Sequence, residues 1–349
     1  MRDTTFTHPL GGVIDLPLLI PSFSSKGFDF FTTKGNLKKK KTFSKATYAL
    51  EEFGRYLNES YLLSAYDIYH KHFRHPDRFF RNTALIFLDS GGYELSDEFD
   101  SSEPKLTPIR KLDFTRDNYL ETLNLLCGKN KESPFVITNF DWDTKNQSFK
   151  HQIQDARAIF KKYPYWATNF LLKPHKDNSK IIDIDDVVPV IQELREFNVI
   201  GVTEKELGKN LIDRLRRLTR LRLELNKRNI KAPLHVWGGL DPMITPLYFF
   251  AGADMFDGVS WLRYFYHDGV AVNRESYPAL KESLTVSNDH SIGLAINENL
   301  RILQGIATSL RYFASSDTPN FDMFDSKGDL FEKAYKTMRA NIPEMKELS

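Results

Sequence analysis

The chain has 349 residues, 48 Lys and Arg against 46 Asp and Glu, and one cysteine, Cys127. Its length suits two domains or one α/β barrel, and its 41 % hydrophobic content is typical of a folded globular protein. The near-zero net charge argues against nucleic-acid binding through a global basic excess. A single cysteine excludes an internal disulfide framework and a zinc site built on cysteine pairs.

The sequence gives no sign of a membrane or secretory protein. No apolar run approaches the roughly 20 residues that a membrane span needs. The first residues, Met1 to Phe6, lack the apolar stretch of a secretory signal. We therefore expect a soluble cytoplasmic protein with no membrane partner.

Short apolar runs alternate with longer amphipathic stretches along most of the chain. The runs predict strands at 16–20, 61–65, 84–88, 134–138, 169–172, 198–202, 234–237 and 255–259. Amphipathic spacing predicts helices at 185–197, 206–228 and 242–251. This alternation favours a parallel sheet in an α/β fold, and about eight buried strands favour a (β/α)8 TIM barrel over a doubly wound sheet.

The carboxyl-terminal part of the chain predicts helices without further strands. They are expected at 299–313 and 327–340, packed on the outside of the barrel. We therefore assign residues 1–295 to the barrel and residues 296–349 to a helical extension.

Two basic segments stand out against the near-neutral total. Residues 34–41 include Lys38, Lys39 and Lys40, and the predicted helix at 206–228 includes Arg216 and Arg220. Each segment is either a solvent-exposed surface or a track for nucleic-acid phosphates. Charge alone does not choose between these interpretations.

Acidic residues and glycines follow several predicted strands. Asp89 precedes a glycine pair after one strand, Asp141 follows a second, and Asp257 lies on a third. Gly238 and Gly239 follow the strand at 234–237. Because the active site of a parallel barrel forms at the carboxyl ends of its strands, three carboxylates are expected at one mouth. The glycine pairs would let a flat ligand approach the backbone closely.

This arrangement suits displacement at the anomeric carbon of a sugar. One carboxylate attacks C1′ and forms a covalent glycosyl-enzyme, and a second moves protons for the leaving and entering bases. A third accepts hydrogen bonds from the N–H edge of a purine-like base. Taken singly, each motif is more often a turn or a tight connection, so the prediction depends on their joint order.

That joint order resembles the tRNA-guanine transglycosylase superfamily. Residues 88–93, Leu-Asp-Ser-Gly-Gly-Tyr, resemble its Asp-Ser-Gly-Gly-Phe/Tyr-Gln signature. Residues 235–242 resemble its strand-plus-glycine segment, and residues 252–257 resemble its Gly-x-Asp-Met/Leu-Phe-Asp signature. Weaker similarities at 16–21, 62–66 and 140–141 keep the family order.

The resemblance implies a (β/α)8 barrel that exchanges guanine in a nucleic acid for a 7-deazaguanine. It implies that Asp257 is the nucleophile, that Asp89 carries the proton, and that Asp141 reads the base edge. The other implied base-binding residues are Tyr93 as a stacking ring, Ser90 and Gly91 beside it, Gly201, Val202 and Thr203 through their backbone, and Trp237, Gly238 and Gly239 as the pocket floor.

Contacts to the polymer are expected from basic residues. Arg263, which follows Asp257 by six residues, is expected to hold a phosphate. The other candidates are Lys38, Lys39, Lys40, Arg216 and Arg220. His175 ends another predicted strand and is a candidate pocket residue, with a surface role as the alternative.

The chain departs from the tRNA-binding parts of the family. It lacks the cysteines of the zinc insert in bacterial members, so no zinc subdomain, metal or cofactor is expected. The chain after Arg263 leaves little room for the RNA-binding modules of archaeal members, and Glu94 replaces the usual glutamine. These departures favour the branch that places 7-deazaguanines in DNA.

Three functional hypotheses follow. The first is a pentosyltransferase that exchanges guanine for a 7-deazaguanine, with DNA slightly favoured over tRNA. The second is a non-catalytic nucleic-acid-binding subunit of such an enzyme. The third is an unrelated glycosidase with two carboxylates. A protein partner or a homodimer is compatible with each of them.

Overall fold

The computed structural model describes residues 4–34, 40–96, 111–142, 147–175, 180–281 and 284–348. The strands in these ranges are β1 (Thr5–Thr7), β2 (Val13–Asp15), β3 (Leu18–Phe23), β4 (Phe30–Lys34), β5 (Lys40–Ser44), β6 (Ser60–Ser64), β7 (Leu85–Asp89), β8 (Phe135–Thr138), β9 (Ala167–Leu172), β10 (Val199–Thr203), β11 (Leu234–Trp237), β12 (Met255–Gly258), β13 (Tyr264–His267) and β14 (Val270–Asn273).

Eight of these described strands close into one barrel. Their order around it is β10-β11-β12-β3-β6-β7-β8-β9, and all neighbours are parallel. Each predicted strand corresponds to one of them, with small shifts at the ends. Parallel neighbours need crossover connections, which the intervening helical segments supply. The structure therefore confirms the (β/α)8 TIM barrel rather than the doubly wound sheet.

Side chains on the barrel strands alternate between the interior and the surrounding helices, as the two-residue period of a strand requires. On β12, Met255 belongs to the interior apolar cluster and Phe256 to the outer one. Asp257 therefore points inward near the carboxyl end of the strand. Three other strands repeat this pattern, with a polar residue two positions after an interior apolar residue. The pairs are Ile20 and Ser22, Phe87 and Asp89, and Ala167 and Asn169. The interior thus changes from apolar to polar toward its carboxyl end.

The hairpin β1–β2 covers the opposite end of the barrel. Phe6 and Ile14 pack with interior residues of the strands. His8 Nε2 lies 2.9 Å from the Phe135 carbonyl oxygen and 3.3 Å from the Ala167 amide nitrogen, at the first residues of two barrel strands. The carboxyl end is therefore the open one, where parallel barrels carry their active sites.

The helices of the described ranges surround the barrel and extend beyond it. They are α1 (Ala46–Phe53), α2 (Ala65–Tyr69), α3 (Gly92–Leu95), α4 (Arg116–Asn130), α5 (Phe149–Phe160), α6 (Ile184–Val187), α7 (Leu211–Lys227), α8 (Thr245–Phe250), α9 (Ser260–Arg263), α10 (Tyr277–Leu280), α11 (Asn288–Ser315) and α12 (Gly328–Asn341).

The three predicted amphipathic helices form with altered bounds. The segment at 185–197 is the short α6 followed by a 3₁₀ helix, Val188–Glu196, because Pro189 has no N–H for a continuous α-helix. The segment at 206–228 is interrupted before α7, where the Asn210 side chain caps a new helix by accepting from the Asp213 amide at 2.9 Å. The third, at 242–251, shortens to α8.

The helices predicted at 299–313 and 327–340 correspond to α11 and α12. The first, α11, begins earlier than expected because Ser287 caps it by accepting from the His290 amide at 3.4 Å. The boundary at 295/296 consequently falls inside α11, and the two-domain division stays a prediction. Phe250 of α8 contacts Phe313 of α11 and Tyr335 of α12, with ring centroids 5.0 and 5.4 Å apart. Both helices therefore pack on the outer layer of the barrel.

Within the described ranges, none of the helices combines the length and the apolar character that crossing a membrane requires.

A buried ion pair ties α7 to the start of β12, and we expect its loss to be costly. The Arg222 guanidinium pairs with Asp254 Oδ2 at 2.5 Å and donates to the Gly252 carbonyl oxygen at 3.0 Å. Replacing Arg222 by Met leaves the Asp254 carboxylate buried beside the Leu234 amide alone, so the free energy of unfolding should fall by about 3–5 kcal/mol. Urea unfolding followed by circular dichroism measures it.

The matched control is a surface ion pair on the same helix. Arg220 pairs with Asp185, and the two side chains are 44 % and 63 % exposed. Because exposed pairs are screened by water, Arg220→Met should lower the free energy of unfolding by less than about 1 kcal/mol. Similar losses in the two variants would contradict the assignment of Arg222 as the structural anchor.

Candidate active site at the carboxyl end of the barrel

The three carboxylates predicted to converge do so. Asp89 is the last residue of β7, Asp257 lies on β12, and Asp141 follows β8. Burial raises the pKa of Asp89 well above its usual value, and the nearby charges of Asp141, Glu94 and Asp257 raise it further. These interactions place the acidic groups in one electrostatic environment at the barrel mouth, where the protonated form of Asp89 is favoured more than in water.

The Asp257 carboxylate is fixed by three donors, which come from β3, from β11 and from the residue after β11. Its Oδ1 accepts from His235 Nε2 and from the Gly238 amide, each at 3.1 Å. Its Oδ2 accepts from Ser22 Oγ at 2.9 Å. Only 6 % of Asp257 is exposed, so its orientation is set by the protein and not by water.

His235 begins the strand-plus-glycine segment at 235–242, but the sequence alone indicates no role for it. It is fully buried inside the barrel, and its Nδ1 lies 2.8 Å from the Asn169 Nδ2 amide. Its ring stacks on Trp237 with centroids 4.5 Å apart. The available signal was the two-residue strand period, which places His235 and Trp237 on the same inward face.

Asp89 lies against the backbone of its own glycine turn. Its Oδ1 accepts from the Ser90 amide at 2.8 Å, and its Oδ2 accepts from the Gly91 amide at 3.3 Å. Gly91 has a φ of +95°, and a Cβ there would come within 2.8 Å of Tyr66 Cβ. Glycine is required at this turn for both reasons, and the turn aims the carboxyl group at the mouth.

Asp141 lies between a hydroxyl and an ammonium group. Ser90 Oγ donates to Asp141 Oδ1, and Lys173 Nζ lies 3.4 Å from Asp141 Oδ2. Gly92 permits this approach, because a Cβ there would lie 2.8 Å from Asp141 Oδ1. Ser90, Asp141 and the glycine pair therefore form one unit, as their predicted common role requires.

Lys173 is a second residue that sequence reasoning missed. Its Nζ also lies 2.7 Å from Glu206 Oε1 and 3.4 Å from Thr203 Oγ1. Burial lowers the pKa of Lys173, but the adjacent Glu206 and Asp141 carboxylates outweigh burial and raise it. A permanent cation therefore stands beside Asp141. The available signal is the position of Lys173 directly after β9, whereas the sequence analysis names His175 as the pocket candidate in this segment.

His175 does not join this group of side chains. Its Nε2 lies 3.1 Å from Asp186 Oδ2, and its ring makes an edge contact with Phe149 at 4.6 Å. The alternative interpretation of His175, a satisfied histidine near the surface, agrees with these contacts.

The predicted pocket floor is assembled around Gly201. A Cβ at Gly201 would lie 2.6 Å from Trp237 Nε1 and 2.8 Å from Asn169 Oδ1. Among the described residues, neither of these two buried atoms has a hydrogen-bond partner. Val202 packs in the outer apolar cluster, so only its backbone is available to the interior, as predicted. Gly238 has a φ of +79°, which favours glycine after β11.

Tyr93 and Arg263 lie together at the rim. The Lys26 ammonium is 4.3 Å from the Tyr93 ring centroid, and the Arg263 guanidinium is 5.9 Å from it. Arg263 is only 5 % exposed, and its Nη2 donates to the Lys26 carbonyl oxygen at 2.9 Å. In this arrangement Arg263 braces the loop after β3. The stacking role of Tyr93 and the phosphate role of Arg263 stay predictions.

The two basic segments differ in what the structure describes. Lys38 and Lys39 lie outside the described residues, as does the side chain of Lys40. On α7, Arg216 pairs with Asp213 at 3.3 Å, and Arg220 pairs with Asp185. Because both arginines pair with acidic residues, these contacts favour a solvent-exposed surface over a phosphate track for the basic helix.

Glu94 is a buried carboxyl group behind Asp89. Ser24 Oγ donates to its Oε1, and Ser64 Oγ donates to its Oε2 at 2.7 Å. Burial and the nearby Asp67 carboxylate raise the pKa of Glu94 to about 7. Glu94 thus joins α3 to the ends of β3 and β6, and its charge contributes to the raised pKa of Asp89.

We expect Glu94 to make folding pH-dependent. Because its folded pKa of about 7 exceeds its ordinary value of 4.5, its contribution is complete below pH 4.5 and is lost as the pH rises through 7. Relative to wild type, Glu94→Gln should gain up to about 3 kcal/mol of unfolding free energy over this interval. The carboxamide can still bond both serines. Urea unfolding at pH 4.5 and 7.5 measures the difference, and a constant difference would contradict this prediction.

The described side chains include no group of three or more His, Cys, Asp or Glu residues placed to hold a metal ion. No protein-family model matches the chain, and no curated protein sequence matches it. The site is therefore interpreted from its own geometry and from the resemblance of its motifs.

Proposed function

We propose that this protein exchanges guanine in a nucleic acid for a 7-deazaguanine through a covalent Asp257 intermediate, in the manner of the tRNA-guanine transglycosylases that its motifs resemble. The observation that carries the proposal is that three carboxyl groups at one mouth of the barrel have three different environments. Asp257 is oriented by three donors, burial and neighbouring charges raise the pKa of Asp89, and Asp141 stands beside a cation. Carboxyl groups in such different environments suit an acid and a nucleophile.

The first half of the reaction uses Asp257 and Asp89. The Asp257 carboxylate forms a bond to C1′ while the bond from C1′ to guanine N9 breaks. The electron pair of that bond leaves with guanine, which takes the proton of Asp89. The raised pKa of Asp89 supports this role, because a carboxyl group must be protonated at neutral pH to act as the acid.

The second half reverses these roles. The incoming 7-deazaguanine attacks C1′ through N9, its N9 proton passes to Asp89, and the Asp257 carboxylate leaves. Asp89 returns to its protonated form and Asp257 to its ionised form. The cycle therefore balances without a cofactor, and the glycosidic bond energy is conserved in the intermediate.

Base recognition is assigned to Asp141 and the floor. A guanine-type base presents N–H donors at positions 1 and 2, which a carboxylate accepts. The buried Trp237 Nε1 and Asn169 Oδ1 pack directly against Gly201 and have no hydrogen-bond partner among the described residues. Buried polar atoms of this kind fit a site completed by its ligand.

Asp141→Ala should weaken base binding more than nucleic-acid binding. Loss of hydrogen bonds to a charged group should raise the Kd for guanine by about 10- to 100-fold. The Kd for the polymer should stay close to wild type, because phosphate contacts dominate it. Calorimetry with guanine and fluorescence anisotropy with a labelled oligonucleotide measure the two constants. An equal loss in both would count against the role of Asp141.

The polymer is tested by incubating the protein with labelled guanine and either DNA or tRNA. Label in DNA would support base exchange and the DNA branch, which we favour. Label in tRNA alone would keep the mechanism and reject DNA. Label in neither polymer, with binding retained, would favour the alternative of a non-catalytic binding subunit.

A further inference from the structure

The interior of the barrel holds a hydrogen-bonded chain that ends on the proposed nucleophile. Asn169, His235 and Asp257 lie on β9, β11 and β12, and each side chain points inward. The Asn169 Nδ2 amide lies 2.8 Å from His235 Nδ1, and His235 Nε2 lies 3.1 Å from Asp257 Oδ1. Asn169 and His235 have no exposed surface, so water does not compete for these bonds.

The chain fixes the tautomer of His235. An amide NH2 group can only donate, so Nδ1 must accept from Asn169 and the single proton of the neutral ring lies on Nε2. That proton is donated to Asp257 Oδ1. Stacking on Trp237 at 4.5 Å and an edge contact with Phe87 at 5.4 Å hold the plane of the ring.

The two oxygens of Asp257 are consequently unequal. Oδ1 accepts two hydrogen bonds, from His235 Nε2 and the Gly238 amide, whereas Oδ2 accepts one, from Ser22 Oγ. Oδ2 therefore keeps more of its accepting capacity for a substrate, while Oδ1 is held in place by two donors.

We propose that His235 is a positioning residue for the nucleophile: with its tautomer set by Asn169, it holds Asp257 Oδ1 so that Oδ2 attacks C1′. This inference rests on the proposed base-exchange function. In the attack an Oδ2 electron pair forms the bond to C1′, the C1′–N9 pair leaves with guanine, and Oδ1 becomes the carbonyl oxygen of the ester. The donor from His235 remains on Oδ1 throughout, so His235 neither gains nor loses a proton.

The test compares three variants in the labelled-guanine assay with wild type. His235→Ala should lower the exchange rate by about 100-fold, because misplacing a reacting group by about an ångström has this effect. The KM for the nucleic acid should stay near the wild-type value. His235→Gln, whose amide can donate near the position of Nε2, should recover most of the rate. His8→Gln is the control for loss of a buried barrel histidine, and its exchange rate should match wild type.

A substitution of Asn169, at the start of the hydrogen-bonded chain, should change the pH profile of exchange, which loss of a purely structural contact would not do. Asn169→Asp replaces the donor to Nδ1 by an acceptor, so the neutral ring carries its proton on Nδ1. Only the imidazolium then donates to Asp257, and exchange should fall as the pH rises through the pKa of that imidazolium. Wild type should lack this loss, because its neutral ring already donates through Nε2.

Nitrogen-15 NMR of histidine-labelled protein provides a readout independent of activity. His235 of the wild-type protein should show a protonated Nε2 and an unprotonated Nδ1, whereas Asn169→Asp should carry the proton on Nδ1. The opposite tautomer would overturn the inference, as would a wild-type rate in His235→Ala or equal impairment in the Gln and Ala variants. Failure of the wild-type protein to exchange guanine in any polymer would instead reject the proposed function, and this inference with it.

Discussion

Replacing Asp257 by Asn should abolish base exchange while leaving the fold intact. The amide oxygen of Asn can accept from His235 and Gly238 in place of Oδ1, and its NH2 group can donate to Ser22 Oγ. The Ser22 hydroxyl then turns its own proton to the Ile20 carbonyl oxygen, 3.5 Å from Ser22 Oγ, so thermal unfolding should be close to wild type. Without a carboxylate oxygen to form the bond to C1′, exchange should fall on the order of 10⁴-fold or more.

Two measurements separate loss of chemistry from loss of binding. Wild-type protein mixed with nucleic acid and then denatured should carry a covalent adduct that migrates with the polymer on a denaturing gel, and Asp257→Asn should not. Its affinity for the polymer should change little, since phosphate contacts supply most of that affinity. Asp268→Asn, at a side chain that is 80 % exposed on the β13–β14 hairpin, is the matched control and should exchange normally. Retained exchange in Asp257→Asn would falsify the assignment of the nucleophile.

Replacing Asp89 by Asn should remove the proton carrier and lower exchange by about 10²- to 10⁴-fold. The amide cannot give its proton to guanine as that base leaves. In wild type, burial and neighbouring charges raise the pKa of Asp89, and the rate should fall when the pH exceeds that raised pKa. Asp89→Asn should lose this pH dependence together with most of its rate.

A substrate that leaves without a proton distinguishes Asp89 from a residue with only a structural role. The base 7-methylguanine is already cationic within the polymer and departs as a neutral molecule. Asp89→Asn should therefore release 7-methylguanine much faster than guanine. The covalent adduct on Asp257 should then accumulate, because the variant has no carboxylate at position 89 to accept the N9 proton of the incoming 7-deazaguanine. Equal rates with the two leaving groups, or no adduct, would reject the role of Asp89.

The sequence alone predicts much of the candidate site. Asp89, Asp141 and Asp257 each follow or end an apolar run, and the carboxyl ends of parallel strands meet at one mouth. Lys173 and His235 were missed for different reasons. Lys173 adjoins the more conspicuous His175, and its proximity to Asp141 depends on how β8 and β9 are placed side by side. His235 sits in the middle of an apolar strand, where sequence reasoning looks for packing residues and not for polar contacts.

The sequence by itself determined the barrel, the eight strands and the acidic residues at their ends. Hydrophobic periodicity and strand-end position are local properties, so they can be read from neighbouring letters. Tertiary structure decided the partners. Whether an arginine of α7 faces water or Asp254, and which atoms surround each Asp257 oxygen, depends on residues far apart in the chain. Hydrogen bonds and charge interactions act over a few ångströms, and only the closed barrel brings such groups within that distance.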